Sequence, residues 1–273
     1  MKAMIFAAGL GTRLKPLTDT LPKALVPLAG KPLLQWQIER LKAAGITDIV
    51  VNVHHFPDMI IKYLHDNDNF GCRIAVSDER DMLLETGGGL RKAEEKFRSL
   101  GVLISAEASN DYSQANVQEF RSSGEGILVC NVDILSNIDI PTLLNAYTPD
   151  EMGVVVVSER DTQRYLLFDE ENRLCGWTNI ATGEVRGEEA IRRGGEQVMK
   201  KLAFSGMQVL NPRIFDCMDK VVEQKGDKFS LIDLYLSIAE KEILRAYIPE
   251  NYRMMDVGKI TQLSEAEAFA LSL

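Results

Sequence analysis

Ala3-Met4-Ile5-Phe6-Ala7-Ala8-Gly9-Leu10-Gly11-Thr12-Arg13 opens as an apolar run of strand length and breaks into a loop with two glycines. A buried strand that feeds such a loop commonly holds a phosphate. Glycines let backbone N–H groups come close to an anion, and a basic side chain adds charge that the amides lack. Arg13 is that charge, and Pro22-Lys23 brings a second one. Two better-known phosphate loops do not fit. A dinucleotide fingerprint needs a third glycine where the chain has Leu14, and a P-loop needs Gly-Lys-Ser/Thr where it has Leu14-Lys15-Pro16.

Outward from this stretch, helical and strand patterns alternate. Residues 33–44 show helical spacing through Leu34, Ile38 and Leu41 and stop at Gly45; residues 48–53 read as a strand, 58–64 as a short helix and 72–77 as a strand. A helix over 90–97 is expected to open after Gly87-Gly88-Gly89, and the apolar strand 127–131 ends in Val132-Asp133. This order predicts an α/β fold with a doubly wound, mostly parallel, Rossmann-like sheet, whose ligands sit at the carboxyl ends of the strands. Gly9, Glu85 and Asp133 fall there. Residues 153–158, 165–169 and 173–178 are short strand-like pieces, expected as antiparallel structure beside the main sheet. Residues 184–201 read as a loop or frayed helix, 202–210 as a strand, 230–241 as a helix capped by Ser230, 243–248 as a late strand and 260–271 as a closing helix. The chain is expected to form a single domain over 1–273, with a polar, serine-rich insertion at 98–126 that reads as a surface loop.

Composition narrows the partners. A net charge of −9 argues against nucleic acid or an anionic membrane, so an anionic substrate would need a focused positive site. Cys72, Cys130, Cys175 and Cys217 have no C-x-x-C spacing and read as reduced thiols of a cytoplasmic protein, with Cys130 in the core. The opening run is too short for a signal peptide, and no run reaches membrane-spanning length. His54 and His55, adjacent on a strand, would face opposite sides and are expected to be structural.

The longer pattern is Ala8-Gly9-Leu10-Gly11-Thr12-Arg13-Leu14, then Pro16-Leu17-Thr18, Pro22-Lys23, Pro27 and Gly30-Lys31-Pro32. It resembles the signature of the sugar-1-phosphate nucleotidyltransferases, in about ten positions over roughly thirty residues. The resemblance implies attack by a sugar-1-phosphate oxygen on the α-phosphorus of a nucleoside triphosphate, with pyrophosphate leaving. It implies that Arg13 binds the β- and γ-phosphates and Lys23 bridges the reacting phosphates, with Ala8, Gly9, Gly11 and Thr12 around the nucleotide. Glu85, Gly87 and Gly88 would belong to a base-binding loop whose backbone faces the nucleobase. Asp133 and Asp256, the latter in Met255-Asp256-Val257-Gly258, would hold Mg²⁺. Asn131, Phe204, Ser205, Gly206 and Arg164 would line the sugar side, within an antiparallel portion over 150–212. Two departures stand out: Val132 replaces the family's usual glycine before the aspartate, and the sugar-holding E-K-P triplet is missing. Arg164, Trp177 and Asn179 are candidates to replace that triplet. There is no hexapeptide repeat of the kind that forms the β-helix domain of several relatives. The compact glycine loop favours UTP over GTP, with guanylyl transfer to mannose or heptose phosphate as the alternative. A catalytically inactive sensor of nucleotide sugars is the alternative of another class, and the retained Arg13, Lys23, Asp133 and Asp256 argue against it.

Overall fold

The computed structural model describes residues 1–102, 114–194 and 198–273. Strand β1 (Lys2–Phe6) lies inside the sheet, and Ala3, Met4 and Ile5 have no exposed surface. After the glycine loop, a small hairpin of β2 (Pro27–Leu28) and β3 (Lys31–Pro32) leads into α1 (Leu33–Ala43). There follow β4 (Asp48–Val53), α2 (Pro57–Asp66), β5 (Arg73–Asp78), α3 (Glu85–Val102), α4 (Gln114–Ser122) and β6 (Ile127–Asn131). β1 pairs in parallel with both β4 and β6, and β4 with β5. The register sets Phe6 beside Asn52 on one flank and Asn131 on the other, so three carboxyl ends meet at one edge. Successive β1 side chains point to opposite faces. Ala3 and Ile5 pack with Leu34, Ile38 and Leu41 of α1, whereas Met4 packs with Leu90, Ala93 and Phe97 of α3. Covering both faces is what a doubly wound sheet requires.

The second half continues through β7 (Ile134–Ser136), α5 (Ile140–Ala146), β8 (Gly153–Ser158), β9 (Arg164–Phe168), β10 (Leu174–Asn179), β11 (Glu184–Arg186), α6 (Glu188–Arg192) and β12 (Lys200–Leu210). It closes with α7 (Ile214–Lys225), α8 (Leu231–Ile238), β13 (Leu244–Tyr247), β14 (Met254–Asp256) and α9 (Leu263–Ala270). The antiparallel strands do not form a separate layer beside the main sheet. β12 is long enough to pair antiparallel with β6 near its end, with β9 near its start and with β8 along its length, which joins them into one ten-stranded sheet. Because β12 opposes both β6 and β8, those two strands run the same way and end at the same edge.

Local differences from the sequence reading have physical causes. The three glycines lie inside the first turn of α3, which begins at Glu85. The stretch 184–201 holds β11, α6 and the start of β12, with 195–197 outside the described residues. His54 and His55 stand past the end of β4; His54 Nδ1 donates to Glu79 O at 2.7 Å and His55 Nε2 lies 3.2 Å from Thr18 O, so both tie loops together. α8 carries the expected Ser230 cap, strengthened to a capping box by Asp233. Of the insertion expected over 98–126, residues 103–113 lie outside the described residues. The described part continues α3 and forms α4, whose Arg121 is held by Glu94, Asp216 and Asp219. No helix among the described residues is long and apolar enough to cross a membrane.

Candidate active site

The loop after β1 is shaped by short contacts. Ala7 N donates to Asn52 Oδ1 at 2.7 Å, and Thr18 Oγ1 donates to Gly11 O at 2.8 Å. Gly11 has φ +64°, and a Cβ there would lie 2.8 Å from Thr18 Cγ2, so both backbone and packing demand glycine. Gly9 differs. A Cβ on it would meet nothing within 4 Å, so packing alone does not require glycine; what the residue leaves is room for a ligand to approach the backbone.

Lys23 follows Pro22 at the start of a 3-10 turn and is nearly buried, with its Nζ against Asp133 Oδ2. Asp133 follows β6, and its carbonyl accepts from Val257 N at 2.8 Å. β7 and β14 pair Ile134 with Asp256, so two carboxylates far apart in sequence come to one place. Arg13 Nη2 stands 3.9 Å from Asp256 Oδ2. A Cβ on Gly258 would lie 2.7 Å from Asp256 Oδ1 and 2.8 Å from Arg13 Nη2, which explains the glycine of the Asp256-Val257-Gly258 motif. The site is thus two crossed ion pairs, Lys23 with Asp133 and Arg13 with Asp256. Although about half of the Asp256 side chain is open to solvent, burial and then the neighbouring Asp133 charge hold its carboxyl above the usual range, against the pull of Lys23, Arg13 and Arg160.

Arg13, Lys23, Asp133 and Gly258 border a cavity of about 590 Å³, which Asp256 does not itself line. Among the residues singled out from sequence, Ala8, Gly9, Gly11, Thr12, Arg13, Lys23, Glu85, Asn131 and Asp133 line it, and Asn52, Leu83, Thr86, Ser230 and Gly258 join them. Val132 also lines the wall. A second cavity, of about 650 Å³, opens on the antiparallel flank by Glu159, Tyr165, Lys200 and Ile248, away from all of the charged pairs.

Gly87 and Gly88 require a correction. Their N–H groups both donate to Phe229 O, at 2.9 and 3.1 Å, and are not free to meet a nucleobase. A Cβ on Gly87 would strike the Phe229 ring at 2.4 Å, and one on Gly88 the Asp227 carbonyl at 2.0 Å. The glycines serve close packing of α3 against the loop before α8. The groups turned to the cavity are Glu85, at φ +63°, and Thr86, whose Oγ1 accepts from Leu231 N at 2.9 Å.

Gly206, at φ +71°, lies in the irregular stretch of β12 between Phe204 and Gln208, where a Cβ would lie 2.8 Å from Ile134 Cγ1 and 3.2 Å from Asn131 Nδ2. It brings that strand against the end of β6, while Ser205 is buried. Of the sugar-side residues named from sequence only Asn131 lines the cavity; Phe204, Ser205, Gly206 and Arg164 do not, and Arg164 is exposed on β9, opposite Asn179. Trp177 packs against the core under Arg186, whose guanidinium lies 5.6 Å from the ring centre. The arginine nearer the charged pairs is Arg160, just past β8, which also does not line the cavity but donates to Phe204 O at 3.0 Å and whose charge acts on Asp256. Its signal in the sequence is position, past an apolar strand like Asp133, but only the pairing through β12 shows that β8 and β6 end at the same edge.

Comparison with known proteins gives the family. The nucleotidyl transferase family model matches residues 2–161. N-acetylmuramate alpha-1-phosphate uridylyltransferase from Neisseria meningitidis serogroup B is 41% identical, over 99% of this chain and 98% of that protein. The protein of the same name from Caulobacter vibrioides is 31% identical, over 97% and 95%. The crystal structure of a UDP-glucose pyrophosphorylase with UDP-glucose superposes with a TM-score of 0.69 at 18% identity, over 100% of this chain and 99% of that one, which speaks for the fold. The chain belongs to the nucleotidyl transferase family and, with its two full-length uridylyltransferase relatives, to the sugar-1-phosphate nucleotidyltransferases within it.

Proposed function

We propose that the protein joins UTP to an amino-sugar 1-phosphate, N-acetylmuramate 1-phosphate by the names of its full-length relatives, with release of pyrophosphate. The observation that carries this reading is the pair of crossed ion pairs, Lys23–Asp133 and Arg13–Asp256, at the mouth of the glycine loop. Two polyanions must meet, so the site needs cations before it needs a base; the sugar phosphate is already a competent nucleophile. An oxygen of that phosphate attacks the α-phosphorus while the bond to the pyrophosphate oxygen breaks. Arg13, on the open side, takes the β- and γ-phosphates. Lys23, on its buried stem, stands between the α-phosphate and the sugar phosphate. Glu85 and Thr86 face the base, and Asn131, Gly206 and Arg160 face the sugar.

The carboxylates suit a divalent ion. No group of three or more His, Cys, Asp or Glu side chains able to hold a metal occurs among the described residues. A hard cation that takes one or two carboxylates and completes its shell with substrate phosphate and water matches the Asp133 and Asp256 pair, which makes Mg²⁺ the expected ion. When bound it would offset the negative charge that builds on the leaving pyrophosphate. Burial, and after it the neighbouring Asp133 charge, raises the Asp256 carboxyl, a cost that a bound cation would offset.

A panel of UTP, GTP and dTTP against N-acetylmuramate, N-acetylglucosamine and mannose 1-phosphates, read by pyrophosphate release, tests this. A wrong base leaves buried polar groups unpaired at about 1–3 kcal/mol each, so UTP should lead GTP by at least tenfold in kcat/KM. Turnover with GTP equal to or above that with UTP would overturn the nucleotide, and release with no pair would overturn the reading.

A further inference from the structure

Glu79, directly after β5, has no exposed surface, an uncommon place for a carboxyl group. Two neutral donors satisfy its oxygens: Asn52 Nδ2 donates to Oε1 at 2.7 Å and Leu84 N to Oε2 at 3.2 Å. The backbone of Glu79 is pinned as well, its N–H donating to Val53 O at 2.7 Å and its carbonyl accepting from Met82 N at 3.0 Å. Asn52 passes the contact on, since its Oδ1 accepts from Ala7 N, where the glycine loop begins. Leu84 passes it the other way, into Glu85 and Thr86. Space is reserved for this arrangement: a Cβ on Gly89 would lie 2.8 Å from Glu79 Oε1 and 3.1 Å from Asn52 Nδ2. The third glycine of the motif therefore answers to Glu79.

We propose that Glu79 is a positioning residue for the nucleotide, whose carboxyl group, held by donors on both oxygens, fixes the spacing between the loop at Ala7 and the loop at Leu84–Thr86. This rests on reading the cavity as the nucleotide site. A triphosphate nucleotide lies across both loops, its phosphates at one and its base at the other, so an error in their separation is felt by the nucleotide before the acceptor. Only an acceptor on both oxygens suits the two facing donors. A glutamine would turn its NH₂ towards one of them and set donor against donor. Burial raises the Glu79 carboxyl above the usual range, and the donors from Asn52 and Leu84 offset this only in part.

The test approaches the contact from two elements. Glu79→Gln changes the acceptor, and Gly89→Ala leaves every polar group in place but presses a methyl on it. UTP binding without acceptor is measured by titration calorimetry, the acceptor KM at saturating UTP, and folding by thermal melting. Both variants should weaken UTP binding by tenfold or more while the acceptor KM stays within about twofold. Unchanged UTP affinity in a folded variant, or both substrates weakening together, overturns the proposal. Should Glu79→Gln fail to fold, Gly89→Ala decides by the same two outcomes. A wild type that binds no nucleoside triphosphate overturns the reading of the cavity and this proposal with it, whereas a binding wild type with equally good variants overturns this proposal alone.

Discussion

The two sides of the cavity are held in different ways. On the side read as the nucleotide's, Ala7, Asn52, Glu79 and Leu84 form a chain of buried contacts, and Thr18 and Thr86 each fix a neighbouring backbone group. On the side read as the acceptor's, β12 loses its regular register and Gly206 takes a left-handed conformation. There the exposed Arg160 spends one hydrogen bond on Phe204 O. The first side is organised without any ligand, because its polar groups satisfy one another. The second is shaped by a break in register and by close backbone packing at Gly206, and it keeps one exposed charge, Arg160, at its edge.

Lys23 is the sharpest way to break the comparison, since it stands where the two sides meet. Lys23→Met keeps the buried stem and removes the charge. Losing a cation from the transition state should lower kcat/KM by about two orders of magnitude or more, for every acceptor alike, in a variant that melts as a folded protein. A loss confined to one substrate would move Lys23 from the junction to one side.

A smaller effect separates the arginines of the acceptor side. Arg160→Gln removes a charge near Asp256 and should raise the acceptor KM about tenfold with little change in UTP affinity, in line with one charge-assisted contact. Arg164→Gln should leave both within about twofold. The reverse order would restore Arg164 to the site and withdraw Arg160.

This pair of arginines also marks how much was legible in the sequence. β1, the glycine loop, Lys23, Asp133 and Asp256 lie in short motifs whose chemistry is local, and they meet in the fold. The alternation of strands and helices likewise gave the doubly wound α/β arrangement. The choice between Arg160 and Arg164 depends on β8 running the same way as β6, a fact decided by β12 some fifty residues later. Gly87 and Gly88 misled for a related reason. Glycine tolerates close approach by anything, and here the approaching groups are Phe229 and Asp227, not a base. Asn52 and Glu79 carry no local mark because their meaning lies in partners 45 and 27 residues away.

The smallest effect concerns stability. In the protein without metal, the Asp256 carboxyl is raised above its unfolded value by burial and by Asp133. The folded state then holds that proton more tightly than the unfolded chain, so stability is full below the unfolded pKa, about 3.9, and falls as pH rises through the folded one. At pH 7 the ionised Asp256 is a cost, reduced by its solvent exposure and by Arg13 and Lys23. With a chelator present, Asp256→Asn should therefore melt roughly 1–3 °C above wild type at pH 7, and the gap should close near pH 3, where the aspartic acid is itself neutral. Adding Mg²⁺ should reverse the order, because an ion that binds the folded state stabilises the protein that still has both carboxylates. A variant that melts below wild type at pH 7 without metal would show that Arg13 and Lys23 already overcompensate the charge, so that Asp256 is held by its ion pair before any metal arrives.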